Sequence, residues 1–181
     1  MNRTQLSHVL RAASRIASDP EVIVFGSQAI LGSFDDADLP IEATRSMEVD
    51  LAFRNDIDDR KSDLVDGSSG ELSSFHEKFG YYAQGVSIAT AIIPSGWVDR
   101  VVAHRESDSA PSHAMCLDPH DLVVSKLVAG RQKDYEFAKA LLGAELISLN
   151  LLVDRAEMLE VPRAVITRVR STISRLSTAL D

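Results

Sequence analysis

Apolar residues in the first segment recur every three or four positions. Leu6, Val9, Leu10, Ala13, Ile16 and Ala17 fall on one face, which predicts a helix over residues 4–17, ended by Asp19-Pro20. The period then shortens. Residues 21–25 (Glu-Val-Ile-Val-Phe) are β-branched and apolar, the mark of a buried strand. Gly26-Ser27 breaks it, residues 28–34 suit one or two helical turns, and the polar, acidic stretch 33–46 reads as a loop. Residues 47–53 alternate: Glu48, Asp50 and Ala52 share one face of a second strand, Met47, Val49, Leu51 and Phe53 the other. Helices are expected over 56–66 and 70–79, strands over 81–86, 87–93 and 98–102, and a loop over 104–116. Beyond it the strand pattern disappears. Asp118-Pro119-His120-Asp121 combines a capping acid, proline at the first helical position and an acid near the helix dipole. Helices are expected over 119–130, 132–142, 144–152 and 161–180. The layout is α+β: a mixed α/β lobe over residues 1–110 and a helical C-terminal lobe over 111–181.

Composition narrows the class. With 45% hydrophobic and 25% charged residues among 181, the chain is typical of a globular domain able to bury its own core. No run approaches the roughly 20 apolar residues a membrane helix needs, which argues against a membrane partner. No signal peptide is evident, and the single Cys116 excludes an internal disulfide, so a cytoplasmic location is expected. The net charge of −8 argues against a broad, sequence-independent grip on nucleic acid, although Arg163, Arg168, Arg170 and Arg175 make the last helix locally basic.

Two elements carry candidate chemistry. A glycine after a strand lets a ligand approach the backbone, and a following helix start offers free N–H groups to phosphate, so Gly26 and Ser27 are candidate phosphate-binding residues. Glu48 and Asp50 lie two apart on a strand, on one side, with Cα atoms about 6.5 Å apart. Paired carboxylates suit one or two divalent cations, and hard oxygen donors favour Mg²⁺ or the similar Mn²⁺. Each element alone also has a structural explanation, as turn geometry or as a solvated strand face.

Together, Phe25-Gly26-Ser27 and Met47-Glu48-Val49-Asp50-Leu51 resemble the nucleotidyltransferase superfamily that includes DNA polymerase β. The resemblance implies a mixed sheet with flanking helices, a triphosphate held at Gly26 and Ser27, and catalytic metal held by Glu48 and Asp50. The segment from His120 to Asp134 resembles the C-terminal block of small bacterial nucleotidyltransferases, among them the AbiEii-type and MenT-type toxins. On that resemblance Lys126 and Asp134 are candidate catalytic residues, and Lys126 and Arg131 candidate nucleotide-binding residues. It implies an NTP substrate, an RNA (tRNA) or protein acceptor, and a toxin restrained by a cognate antitoxin. Along an unbroken helix Lys126 and Asp134 would stand about 12 Å apart; a break at Gly130 would change that. Arg131 and Asp134 also have the spacing of an ordinary i,i+3 ion pair.

The chain departs from the superfamily pattern in one respect. A third carboxylate is expected on a later strand, but residues 86–93 contain no acid, and Thr90 or Ser87 occupies the expected place. A second reading therefore keeps the fold and a bound nucleotide or partner while transfer is lost. Trp97 offers either a base-stacking surface or a core residue, and the five histidines lack metal-ligand spacing.

Overall fold

The computed structural model describes residues 1–104 and 113–178. A five-stranded mixed sheet lies at its centre, in the order β3-β2-β1-β5-β4. The strands are β1 (Val22–Val24), β2 (Glu48–Phe53), β3 (Tyr82–Gly85), β4 (Val102–Ala103) and β5 (Met115–Cys116). β2 runs antiparallel to β1 and parallel to β3, while β5 runs parallel to β1 and antiparallel to β4. All of β1 is buried, as expected of a strand flanked on both edges and covered on both faces.

The helix α1 (Arg3–Ala17) packs Leu6, Val9, Leu10 and Ala13 into the core, the spacing read from the sequence. Asn2 and Gln5 form its capping box, which satisfies two backbone donors otherwise left open at the helix start. After β1 a 3-10 helix spans Ser27–Gly32, and α2 is one short turn (Ile41–Thr44). Two helices, α3 (Arg60–Ser69) and α4 (Ser74–Phe79), precede β3. After β5 the chain is helical: α5 (Pro119–Ala129), α6 (Gln132–Gly143), α7 (Leu149–Glu157) and α8 (Arg163–Thr178). The Asp118 side chain caps α5 by accepting from the N–H groups of His120 and Asp121.

Several expectations are revised. Residues 87–93 form no strand. The ladder between β2 and β3 closes at the bond from Val86 N–H to the Leu51 carbonyl, and among the described residues no further strand pairs with the next residues. They turn instead through a 3-10 segment, Ile88–Thr90. Residues 97–99 form another 3-10 turn before the two-residue β4, replacing the strand expected over 98–102. The loop expected over 104–116 contains a sheet strand, β5, too short to leave a periodic signature. The rest of that stretch, 105–112, lies outside the described residues, as does the expected lobe boundary at 110/111. α6 runs to Gly143, and the next helix begins only at Leu149 rather than at 144. α3 starts four residues later than expected, behind Asp58 and Asp59, both at positive φ.

One buried ion cluster ties the second half of the chain together. The Arg100 guanidinium donates to both oxygens of Asp121 (2.7 and 3.0 Å) and to the carbonyls of Pro94 and Ser95. Arg155 of α7 approaches the same carboxylate at 3.2 Å. The Asp121 side chain is fully buried, and burial pushes its carboxyl up while Arg100 and Arg155 oppose that rise. The cluster fixes the start of α5 against residues 94–100 and α7.

Candidate nucleotide site

The ends of β1 and β2 lie side by side, with Phe25 N–H bonded to the Asp50 carbonyl at 3.0 Å. That pairing brings the sequence's two motifs into contact. A Cβ on residue 26 would lie 1.6 Å from Asp50 Oδ2, so only glycine leaves room for the carboxylate. The φ of Gly26, −67°, is open to any residue; the requirement is space. Ser27 follows directly and opens a 3-10 helix, the short helical segment expected there, beside the cleft but outside its wall.

Glu48 and Asp50 project to the same side of β2, half-buried, and their carboxyl groups are close enough to share a hydrogen bond. Burial pushes the Asp50 carboxyl up to about 6. The negative charge of Glu48 adds to the rise, and Lys126 and Arg131 oppose it. Tyr82, register partner of Glu48 on β3, donates its hydroxyl to Glu48 Oε2 at 3.3 Å. Burial and the nearby carboxylates push the tyrosine up to about 12, so it stays a donor at neutral pH.

The opposite wall comes from α5 and α6. Gly130, in the left-handed region at φ 71°, ends α5 and turns the chain back. Because of that break, Lys126 Nζ lies 3.4 Å from Asp134 Oδ1, not the distance an unbroken helix would give. Arg131 meets the same carboxylate through Nε at 2.8 Å, and its backbone N–H also donates to it. Burial disfavours ionisation of the fully buried Asp134, but the Arg131 hydrogen bond and the Lys126 charge outweigh it and hold the carboxyl below its usual range. Burial lowers the Lys126 ammonium, while Asp134 and Asp50 favour its charged form. The ammonium also lies 4.9 Å from the centre of the Phe137 ring.

Between the walls is an open cleft of about 430 Å³. Gly26, Asp50, Lys126 and Arg131 line it together with Thr90 and apolar residues such as Val86, Ile92 and Leu122. Of the residues predicted for the site, Glu48 lies beside Asp50 just behind the wall, and Asp134 lies beneath Lys126 and Arg131 as their shared counter-ion. Trp97 packs edge-on against Phe25, with ring centres 5.5 Å apart, the core role. Thr90 is exposed and donates to the Ser87 carbonyl at 2.7 Å. The β3 residue in register with Asp50 is Gln84. Sequence reasoning missed Tyr82, whose tie to Glu48 exists only through strand register, and Ser125, a helix residue on the cleft wall with no local signature.

The carboxylate pair fits a Mg²⁺ or Mn²⁺ ion. Two hard oxygen donors repel each other in a half-buried place, and a divalent cation would neutralise that repulsion. Among the described residues no cluster of three metal-ligating side chains occurs, so water and phosphate oxygens would complete the coordination, as Mg²⁺ prefers. No described helix is long and apolar enough to cross a membrane.

No curated protein and no solved structure matches the chain. A family model described as "nucleotidyltransferase of unknown function" (DUF6036) matches residues 4–171. The match takes in the Gly26-Ser27 turn, the Glu48/Asp50 strand and the α5–α6 corner alike, and the chain belongs to this nucleotidyltransferase family.

Proposed function

We propose that the protein transfers a nucleoside monophosphate from an NTP to a hydroxyl acceptor. The observation that carries this reading is the cleft itself, in which a carboxylate seated against Gly26 faces Lys126 and Arg131. The triphosphate would lie along Gly26 and Ser27, with its negative charge offset by Lys126 and Arg131. Asp134, ion-paired to both cations, fixes their positions. Glu48 and Asp50 would hold Mg²⁺ or Mn²⁺, which supplies Lewis-acid stabilisation of the phosphates. The acceptor oxygen bonds to the α-phosphorus, the α–β bridging bond breaks, pyrophosphate departs and the acceptor proton passes to solvent. Positioning and charge neutralisation supply most of the rate.

The acceptor is an RNA, with tRNA one case, or a protein hydroxyl. The resemblance to AbiEii-type and MenT-type proteins extends the reading to a toxin restrained by an antitoxin. The test is incubation of purified protein with Mg²⁺ and each α-labelled NTP, offering total RNA or protein extract, with Asp50→Ala alongside. Label transferred by the wild type and not by the variant supports the reading; equal labelling by both contradicts it.

A second reading, nucleotide binding without transfer, rests on Gln84. It is the residue in register with Asp50, and it cannot serve as a third carboxylate. Nucleotide binding by the wild type with no labelled acceptor would favour it.

A further inference from the structure

The last helix has four arginines, and the structure divides them into two pairs. Arg163 and Arg170 both bond to Glu157, each at 2.6 Å, so the one carboxylate offsets half of their combined charge and ties both side chains away from the α6–α8 groove. Arg168 and Arg175 are exposed and have no acidic partner among the described residues. They are seven residues apart, two helical turns, on one face of α8 and about 10 Å apart along its axis. Arg168 donates to the carbonyl of Val128, a residue of the cleft wall, at 2.9 Å. Arg168 and the Tyr135 hydroxyl converge on Gly130, each within 3.3 Å of the place a Cβ would take there. Arg175 and Tyr135 line a further open groove, of about 370 Å³, between α6 and α8. Arg131, more than half exposed, carries the positive charge into the nucleotide cleft. Gln132, which also lines the groove, donates to the exposed Glu136 at 3.1 Å.

On these observations we propose that the α6–α8 groove is the docking track for a single-stranded RNA acceptor, whose end enters the cleft past Arg131. Arg168 and Arg175 each contact a phosphate, and a base stacks on Tyr135. Two arginines without an acidic partner among the described residues, with an aromatic ring near both and the cleft wall adjoining at Val128 and Arg131, match a polyanion with flat bases. A folded protein acceptor has no regular row of negative charges to match it. The proposal deepens the transferase reading and rests on it for the acceptor's fate, but the groove can be tested by binding alone.

The probe is a fluorescently labelled, mixed-sequence oligoribonucleotide of about a dozen nucleotides, its affinity followed by anisotropy over a salt series without NTP. Arg168→Gln with Arg175→Gln removes both charges, and glutamine retains a donor for the Val128 carbonyl. Two lost phosphate contacts to a single strand should flatten the slope of log K against log salt by about 1.4 and weaken binding roughly tenfold or more at low salt. Tyr135→Leu should weaken binding about tenfold with the slope unchanged. Arg163→Gln with Arg170→Gln should bind as the wild type does. Melting temperature and NTP binding, measured on every variant, separate loss of fold from loss of the groove. The proposal is overturned if the Arg168/Arg175 variant keeps the wild-type slope, if both arginine pairs act alike, or if the wild type binds no RNA while labelling protein. Failure of NTP binding with RNA binding intact would count against the transferase reading and not against the groove.

Discussion

The carboxyl of Asp50 is held against its own preference, and removing its charge should stabilise the fold while destroying the site. Its pKa rises from 3.8 to about 6 on folding, which at about 1.4 kcal/mol per pKa unit corresponds to about 3 kcal/mol. The sign follows from the direction. A carboxyl raised by folding contributes nothing unfavourable below about pH 3.8, where it is protonated in both states. As pH rises towards 6 the unfolded chain ionises first, and above about 6 the full cost is present. Asp50→Asn keeps the shape and removes the charge. In metal-free buffer it should gain about 2–3 kcal/mol near pH 7.5, raising Tm by about 5–10 °C for a chain of this length. Near pH 4 the gain should shrink to a few tenths of a kcal/mol. Mg²⁺ should narrow the difference at pH 7.5 by stabilising the wild type alone. Thermal melts of both proteins at the two pH values, with and without Mg²⁺, provide the assay. A variant less stable than the wild type at pH 7.5, or a gain independent of pH, would show that the Asp50 charge does not oppose folding.

Other parts of the structure yield further predictions. Gly26→Ala would place a methyl group 1.6 Å from Asp50 Oδ2, so it should displace that carboxylate and reduce nucleotide binding at least about tenfold by calorimetry, with the fold retained by circular dichroism. Asp121→Ala leaves Arg100 and Arg155 facing a vacated buried position and should cost about 3–5 kcal/mol in urea denaturation. Cys116 is fully buried and its thiol is pushed up to about 12 by burial, so in native protein at pH 8 it should resist Ellman's reagent and react fully in denaturant. Lys126→Met removes one cation while Arg131 still holds Asp134, so NTP affinity should fall about tenfold with modest loss of stability, read by calorimetry and melting.

What could be read from the sequence was whatever has a local signature. The helical stripe of α1, the buried β1, the alternation of β2 and the Asp118-Pro119 start of α5 each express their environment within a few neighbouring residues. Gly26 and Asp50 stand out from the residues themselves, whereas Lys126 and Arg131 stand out only through the resemblance to small bacterial nucleotidyltransferases; the structure gathers all four around one cleft. Their contacts were not visible, because these depend on pairings far apart in the chain. The 3.4 Å approach of Lys126 to Asp134 needs the turn at Gly130. The hydroxyl of Tyr82 reaches Glu48 only through the register of two parallel strands. β5 has two residues, fewer than any period can mark, and the apolar run after β3 has the pattern of a strand because periodicity cannot reveal that no described strand pairs with it.

On this reading, nucleotide phosphates and a divalent cation meet between the β1 turn and the α5–α6 corner. The most direct measurement is a crystal structure with Mn²⁺ and an NTP analogue that cannot be cleaved between the α- and β-phosphates, with the ion located by its anomalous signal. The expected result is an anomalous peak bound by Asp50 and Glu48, and a triphosphate running from Gly26 towards Lys126 and Arg131. A nucleotide bound elsewhere, or an ion that ignores both carboxylates, would contradict it.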